Sequence, residues 1–156
     1  MTTWRRLPPG VRRALAGWLA VQALVAAGGR LMAWWKNEGD ESSTSIRRVL
    51  THHGLELRPT NPALARVRMD LAMAGAEVDL TGVQRPKGGI DLTARLLMGG
   101  LQVRVPADWR VWWEFHGIGG IDTDGGIQRT HDEHAADLRV HAGVVFGGIG
   151  IGGPQS

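Results

Sequence analysis

The chain has 156 residues, room for one domain and a tail, and 43% of them are apolar, enough to bury a core. It contains no cysteine, which excludes a disulfide scaffold, a thiol nucleophile and a cysteine-ligated zinc or iron–sulfur site. The net charge of +3 divides into a leader, residues 1–36, with six basic and no acidic side chains, and a remainder with 12 basic and 15 acidic ones. A mildly acidic body is not that of a nucleic-acid-binding domain, which concentrates positive charge on its folded part.

The leader carries Arg5, Arg6, Arg12 and Arg13 ahead of an apolar run from Ala14 to Gly29, broken only by Gln22. As a helix that run is about 24 Å long, short of the roughly 30 Å hydrocarbon core. Extended past Arg30 to Trp35 it reaches about 33 Å and can cross if Arg30 snorkels to the interface. Trp18 near one end and Trp34 and Trp35 at the other stand where interfacial anchors belong. The arginines place the N-terminus in the cytoplasm, giving a single-pass protein of the cell membrane. Three other readings stay open. Arg12, Gln22 and Arg30 share one side of the wheel, as in a peripheral helix on the cytoplasmic face. The helix could also cap the end of the domain, and Ala26 to Gly29 suit a signal-peptide cleavage site.

Residues 37–63 read as a polar hinge and a short helix. Ser43 or Thr44 is expected to cap a helix running through Thr51, and Pro59, Asn61 and Pro62 mark a turn. From residue 64 to 153 the periodicity becomes alternating: Val67, Met69 and Leu71, then Val78 and Leu80, then Leu101, Val103 and Val105, each separated by polar or small residues. That is the period of half-buried strands. Residues 154–156 are a tail.

Glycine marks the repeat. Of 23 glycines, 17 lie in residues 74–156, and four Gly-Gly or Gly-Ala pairs precede alternating strands: Gly75, Gly99–Gly100, Gly119–Gly120 and Gly147–Gly148, spaced 24, 20 and 28 residues apart. Ala74, Met98, Ile118 and Phe146 stand just before them. Stacked strands that turn at the same place need glycine there, both for its backbone angles and for the missing side chain where strands crowd. The expected fold is mainly β: a single-stranded β-solenoid (β-helix-like) domain of about four rungs, preceded by the N-terminal helix. An antiparallel β-sandwich is the alternative.

Residues 65–152 resemble the C-terminal domain of the LiaF-type cell-wall-active antibiotics response proteins. The resemblance lies in AGAEVDL, GGIDLTARLLMGGLQVRVPADWRV and DLRVHAGVVFGGIGI, and most specifically in the strand that runs into Val105-Pro-x-x-Trp109-x-Val111. It implies a β-solenoid-like domain beside a membrane region, and for some members modulation of a sensor kinase that responds to envelope damage. It brings no catalytic residues. Members with several membrane spans differ from this chain, which has at most one.

Motifs of catalysis and metal binding fail on their own terms. Gly148, Gly150 and Gly153 form a GxGxxG with no room for the helix that would hold a pyrophosphate. His131, Asp132, Glu133 and His134, with Asp137 beyond, lack the HExxH spacing and read as a solvated loop, and the adjacent His52 and His53 would diverge. Asp122 and Asp124 lack the cleft that paired glycosidase carboxylates need. Serine is confined to residues 42–45 and 156, without a nucleophile motif. No catalytic, cofactor or metal site is expected.

Trp109 is expected in the core after the Pro106 turn. Trp112 and Trp113, neighbours on one strand, cannot both face inward, so one is a candidate contact residue. The sequence therefore points to a non-enzymatic interaction or regulatory protein of the bacterial envelope. Its expected partners are the lipid bilayer and a membrane protein such as a sensor kinase. Contact would run through Trp18, Arg30, Trp34, Trp35 and Trp112 or Trp113. A self-assembling envelope scaffold, with the chain as a homo-oligomer, is the second reading; a carbohydrate-binding or carbohydrate-cleaving domain is the third.

Overall fold

A computed structural model of the protein describes residues 37–154 apart from Gly125. The expected N-terminal helix, with Trp18, Arg30, Trp34 and Trp35, lies outside the described residues. Among those described there is no helix long and apolar enough to cross a membrane.

The described chain is mainly β. Its strands are β1 (Ser45–Leu50), β2 (Leu55–Leu57), β3 (Arg66–Asp79), β4 (Ile90–Arg104), β5 (Arg110–Thr123), β6 (Gln128–Arg129) and β7 (Leu138–Gly152). They form one sheet in the order β1-β3-β4-β7-β5-β6, with β2 also on β3, and every strand pair is parallel. Parallel pairing overturns the antiparallel sandwich. It demands crossover connections, not tight hairpins, and the segments between the strands supply them.

The long strands turn in the middle. In β3 the buried side chains are Val67, Met69 and Leu71 before the turn and Ala74, Ala76 and Val78 after it. The two-residue period of a straight strand would have buried position 73; a step of three means that the strand turns about its core. β4 and β7 repeat the pattern, with Leu96 followed by Leu101 and Val144 followed by Ile149. Both halves belong to one apolar cluster, which Leu64, Leu80, Val83, Val105 and Trp109 from the connections complete. Trp109 is buried, and its N–H donates to the Pro106 carbonyl at 3.1 Å across the turn.

The four glycine pairs fall into one row. Ala74 and Gly75 pair with Gly99 and Gly100, these with Gly147 and Gly148, and these with Gly119 and Gly120. At Gly99 and Gly147 the backbone takes φ of 141° and 143°. A β-carbon at Gly99 would stand 2.0 Å from the Ala74 carbonyl oxygen, and one at Gly147 would stand 1.9 Å from that of Gly99. Each turn thus brings its strand onto the carbonyl of the strand beneath, and only glycine fits.

One feature departs from expectation. Residues 44–51 are not a helix: Ser45–Leu50 is a strand in register with Arg66–Leu71. Pairing offered to Ile46, Val49 and Leu50 by the edge of β3 outweighs the weak capping signal of Ser43 and Thr44. Instead, the Asp40 carboxylate closes a turn, accepting from the Ser42 N–H and both serine hydroxyls. β1 and β2 both pair 21 residues ahead, Ser45 with Arg66 and Leu55 with Ala76. They are therefore two halves of one further turned strand, and Ser45–Leu50 and Leu55–Leu57 belong to the sheet. β7, last in sequence, lies between β4 and β5, and not beyond β5.

Candidate interaction surface

The turn that buries Ala74 and its counterparts leaves the preceding residues outside. Met73, Met98 and Phe146 are register partners on β3, β4 and β7. Ile118 continues their line on β5, at an irregularity where Gly117 pairs with Val144 but Gly119 with Gly147. Leu97 and Val145 stand one residue earlier. All six are between 47% and 63% exposed, and neighbouring strands lie about 4.8 Å apart, so they form one apolar ridge roughly 14 Å long. Beside it a groove of about 530 Å³ is lined by Leu50, Leu71, Ala72, Leu96, Leu97 and Val145, among others. The small residues Ala72 and Gly143 give it depth.

The ridge separates two outer walls of opposite charge. The outward positions before the turn carry Arg47, Arg66, Arg68, Arg95, Arg110 and Arg139 against Asp70, Asp91 and Glu114, a balance of +3. Those after it carry Glu56, Glu77, Asp79 and Asp122 against Arg104, a balance of −3. On the basic wall Arg139 Nε donates to Asp91 Oδ1 at 2.6 Å. That bond holds the Asp91 carboxyl below its ordinary range and raises the Arg139 guanidinium, each against partial desolvation. On the acidic wall burial pushes the Asp79 carboxyl up. Hydrogen bonds from the Thr81 hydroxyl and N–H, with Arg58 and Arg104 nearby, outweigh burial and leave it below its ordinary range.

Trp113 packs against the core, half-buried, under the Arg129 guanidinium 4.3 Å from its ring centre. Trp112 takes the outer wall and meets the His141 ring edge-on at 5.3 Å. The two thus point to opposite faces, and neither lies on the ridge. His52 and His53 are exposed in the segment joining β1 to β2. Asp122 and Asp124 are exposed at the far end of β5; Gly148 and Gly150 lie within β7, and Gly153 directly follows it. Among the described residues no cluster of metal-ligating side chains occurs. Asp132 accepts from the His134 N–H at 3.0 Å and caps a single 3-10 turn, Glu133–Ala135.

The residue that sequence reasoning undervalued is Asp137. It is buried, accepts the Arg110 N–H at 2.8 Å, and lies 3.5 Å from Arg85 and 3.8 Å from Arg110. Its own N–H donates to the Arg110 carbonyl and its carbonyl accepts from Ile90, so one residue ties β4, β5 and β7 together where they begin. The ridge was missed because Met73, Met98 and Phe146 fall in phase with the buried residues before them and so read as core by alternation. Only the shift in pattern across the glycine pairs could have signalled otherwise.

No family model, curated protein or solved structure matches the chain. What the ridge offers is an apolar crest on a set of repeated, turned strands.

Proposed function

We propose that the protein is a membrane-associated, non-enzymatic interaction protein whose β domain is solenoid-like, each long strand forming one turned rung. The observation that carries this reading is the exposed ridge: contiguous apolar surface of this kind on a domain with a well-filled core marks a contact site. The cationic, apolar leader supplies the membrane association, and the resemblance of residues 65–152 to LiaF-type domains favours an envelope-stress or cell-wall setting with a membrane partner. Fractionation in the native host, with and without residues 1–36, tests it. The full chain is expected in the membrane fraction and the shortened chain outside it; a full chain that stays wholly soluble would sink the proposal.

A second reading, end-to-end assembly into an envelope scaffold, draws on β5. Among the described residues, β5 bonds to β7 alone beyond its short pairing with β6 at Arg110 and Val111. Its other edge offers unpaired backbone groups to a second copy. Light scattering on the full chain across a hundredfold dilution separates the readings. Growth in mass with concentration supports the scaffold, and a constant monomer or dimer rejects it.

A further inference from the structure

We infer that the last apolar stretch of the leader, Leu31-Met32-Ala33-Trp34-Trp35, which lies outside the described residues, occupies the groove that crosses the outer face from β1 to β7. The inference goes beyond the membrane reading and does not depend on it, since it concerns only the stretch between the apolar run Ala14 to Gly29 and the sheet. Three observations carry it. First, the groove suits an uncharged, apolar occupant. It follows the register row Val49, Asp70, Arg95 and Gly143, so three strand spacings make it about 14 Å long. Its lining is apolar apart from Thr51, Asp70 and Arg95, and Asp70 is already met by Arg47 at 3.5 Å and Arg68 at 3.3 Å. Leu31 to Trp35 contains no ionisable side chain, and its charged neighbours, Arg30 and Lys36, stand at its two ends.

Second, the chain enters at the β1 end of the groove. Glu38 and Arg47 pair antiparallel, exchanging backbone hydrogen bonds of 3.0 and 2.8 Å. The Arg48 guanidinium donates to the Glu38 and Gly39 carbonyls, and Asn37 Oδ1 accepts from the Val49 N–H at 2.8 Å. Traced backward from Glu38, the chain therefore runs along β1 toward Leu50 and is fixed at Val49, itself part of the lining. Only Lys36 separates that fixed point from Trp35. Third, the reach is sufficient. The six residues from Leu31 to Lys36 span about 20 Å when extended and about 9 Å when helical, so the two tryptophans meet the groove in either form. Each brings about 150–250 Å² of surface to bury. A segment tethered at the mouth is present at an effective concentration of about millimolar, which a separate chain offering the same residues has to exceed.

The chain has no native cysteine, so introduced pairs report without background. Full-length Ala33→Cys would be combined with Ala72→Cys or Leu97→Cys in the groove, or with Gln102→Cys, exposed beyond the glycine row. Each double variant would be oxidised with copper phenanthroline in the membrane and soluble fractions of the native host and again after purification. Circular dichroism would verify that each is folded, and peptide mapping would separate disulfides within one chain from those between chains. Disulfides from 33 to 72 and from 33 to 97 are expected to form within one chain, much faster than from 33 to 102. Adding Trp34→Ser and Trp35→Ser should slow the groove cross-links about tenfold, a loss of about 1.4 kcal/mol of seating, and leave the rate at 102 unchanged. Equal rates at all three positions, or no cross-link at any, would overturn the assignment. Cross-links between chains that slow on dilution would put a second copy's segment in the groove and overturn it too. The fraction that holds the cross-linked chain reports on the membrane reading separately, so either can fail while the other stands.

Discussion

Replacing Gly99 by alanine should unfold far more of the protein than replacing Gly100, although the two are adjacent and both exposed. Gly99 has φ of 141°, and its new β-carbon would stand 2.0 Å from the Ala74 carbonyl oxygen, where ordinary contact begins at 3.4 Å. The backbone conformation alone costs about 1–3 kcal/mol for a residue with a side chain. Opening the gap by well over 1 Å disrupts the bonds between β3 and β4 at that point, each worth about 1 kcal/mol. Against these, the lower entropy of the unfolded alanine chain returns about 0.4–1 kcal/mol. The net loss is about 3 kcal/mol, a large part of a typical domain stability of about 5–15 kcal/mol. At Gly100 the nearest atom to a β-carbon is the Gly148 carbonyl oxygen at 3.8 Å and φ is unremarkable, so Gly100→Ala should stay within about 1 kcal/mol of the parent. Urea unfolding followed by circular dichroism and tryptophan fluorescence measures both. With a slope near 1.5 kcal/mol per molar, the two midpoints should differ by about 2 M. Equal midpoints would refute the account of the turn as a carbonyl contact that only glycine tolerates.

Asp137→Ala should cost about 2–3 kcal/mol in the same assay, since it strands the part-buried Arg110 N–H and removes the partner of Arg85. Asp137→Asn, which keeps the acceptor, should cost less than half as much. The depressed Asp91 carboxyl contributes stability that is present above its unfolded pKa of about 3.9 and is lost as pH falls through its lower folded value. The urea midpoint should therefore decline below about pH 4, and Arg139→Met should reduce that acid-side decline; an unchanged profile would show that the pair does not couple to folding. Asp91 is more than a third exposed, so solvent screening keeps the effect modest. Arg129→Ala should uncover the Trp113 ring, shifting tryptophan emission to the red at a cost of about 0.5–1 kcal/mol.

The strands from Arg66 onward and the alignment of their turns were legible in the sequence because glycine was needed at a physically defined place. The β1–β2 turn was not, for the same reason. It runs through Thr51, His52, His53 and Gly54, and Gly54 takes no positive φ. Without that demand the only trace is Gly54-Leu-Glu-Leu57 echoing Gly75-Ala-Glu-Val78 21 residues on, and the stretch reads as a capped helix. Strand order was invisible because β5 and β7 carry the same glycine pair and either could follow β4. The choice depends on contacts such as the Val105 N–H on the Gly152 carbonyl and those of Asp137, which no periodicity encodes. The ridge escaped because alternation counts Met98 and Phe146 as core; the turn that ejects them is a three-dimensional event.

The place of β7 between β4 and β5 has a consequence for how the sheet is completed. Until residues 138–152 are available, β4 and β5 have no common neighbour, and the chain can assemble only an N-terminal block from β1 to β4 while β5 waits unpaired along most of its length. The final strand supplies that common neighbour, joining partners 48 residues before it on β4 and 27 before it on β5, as Ile90 and Val111 are to Leu138. Closure of this kind is slow and late. It makes the C-terminal segment a keystone: synthesis on the ribosome yields a finished domain only after Gly152 has emerged, and the half-built sheet carries an open edge until then.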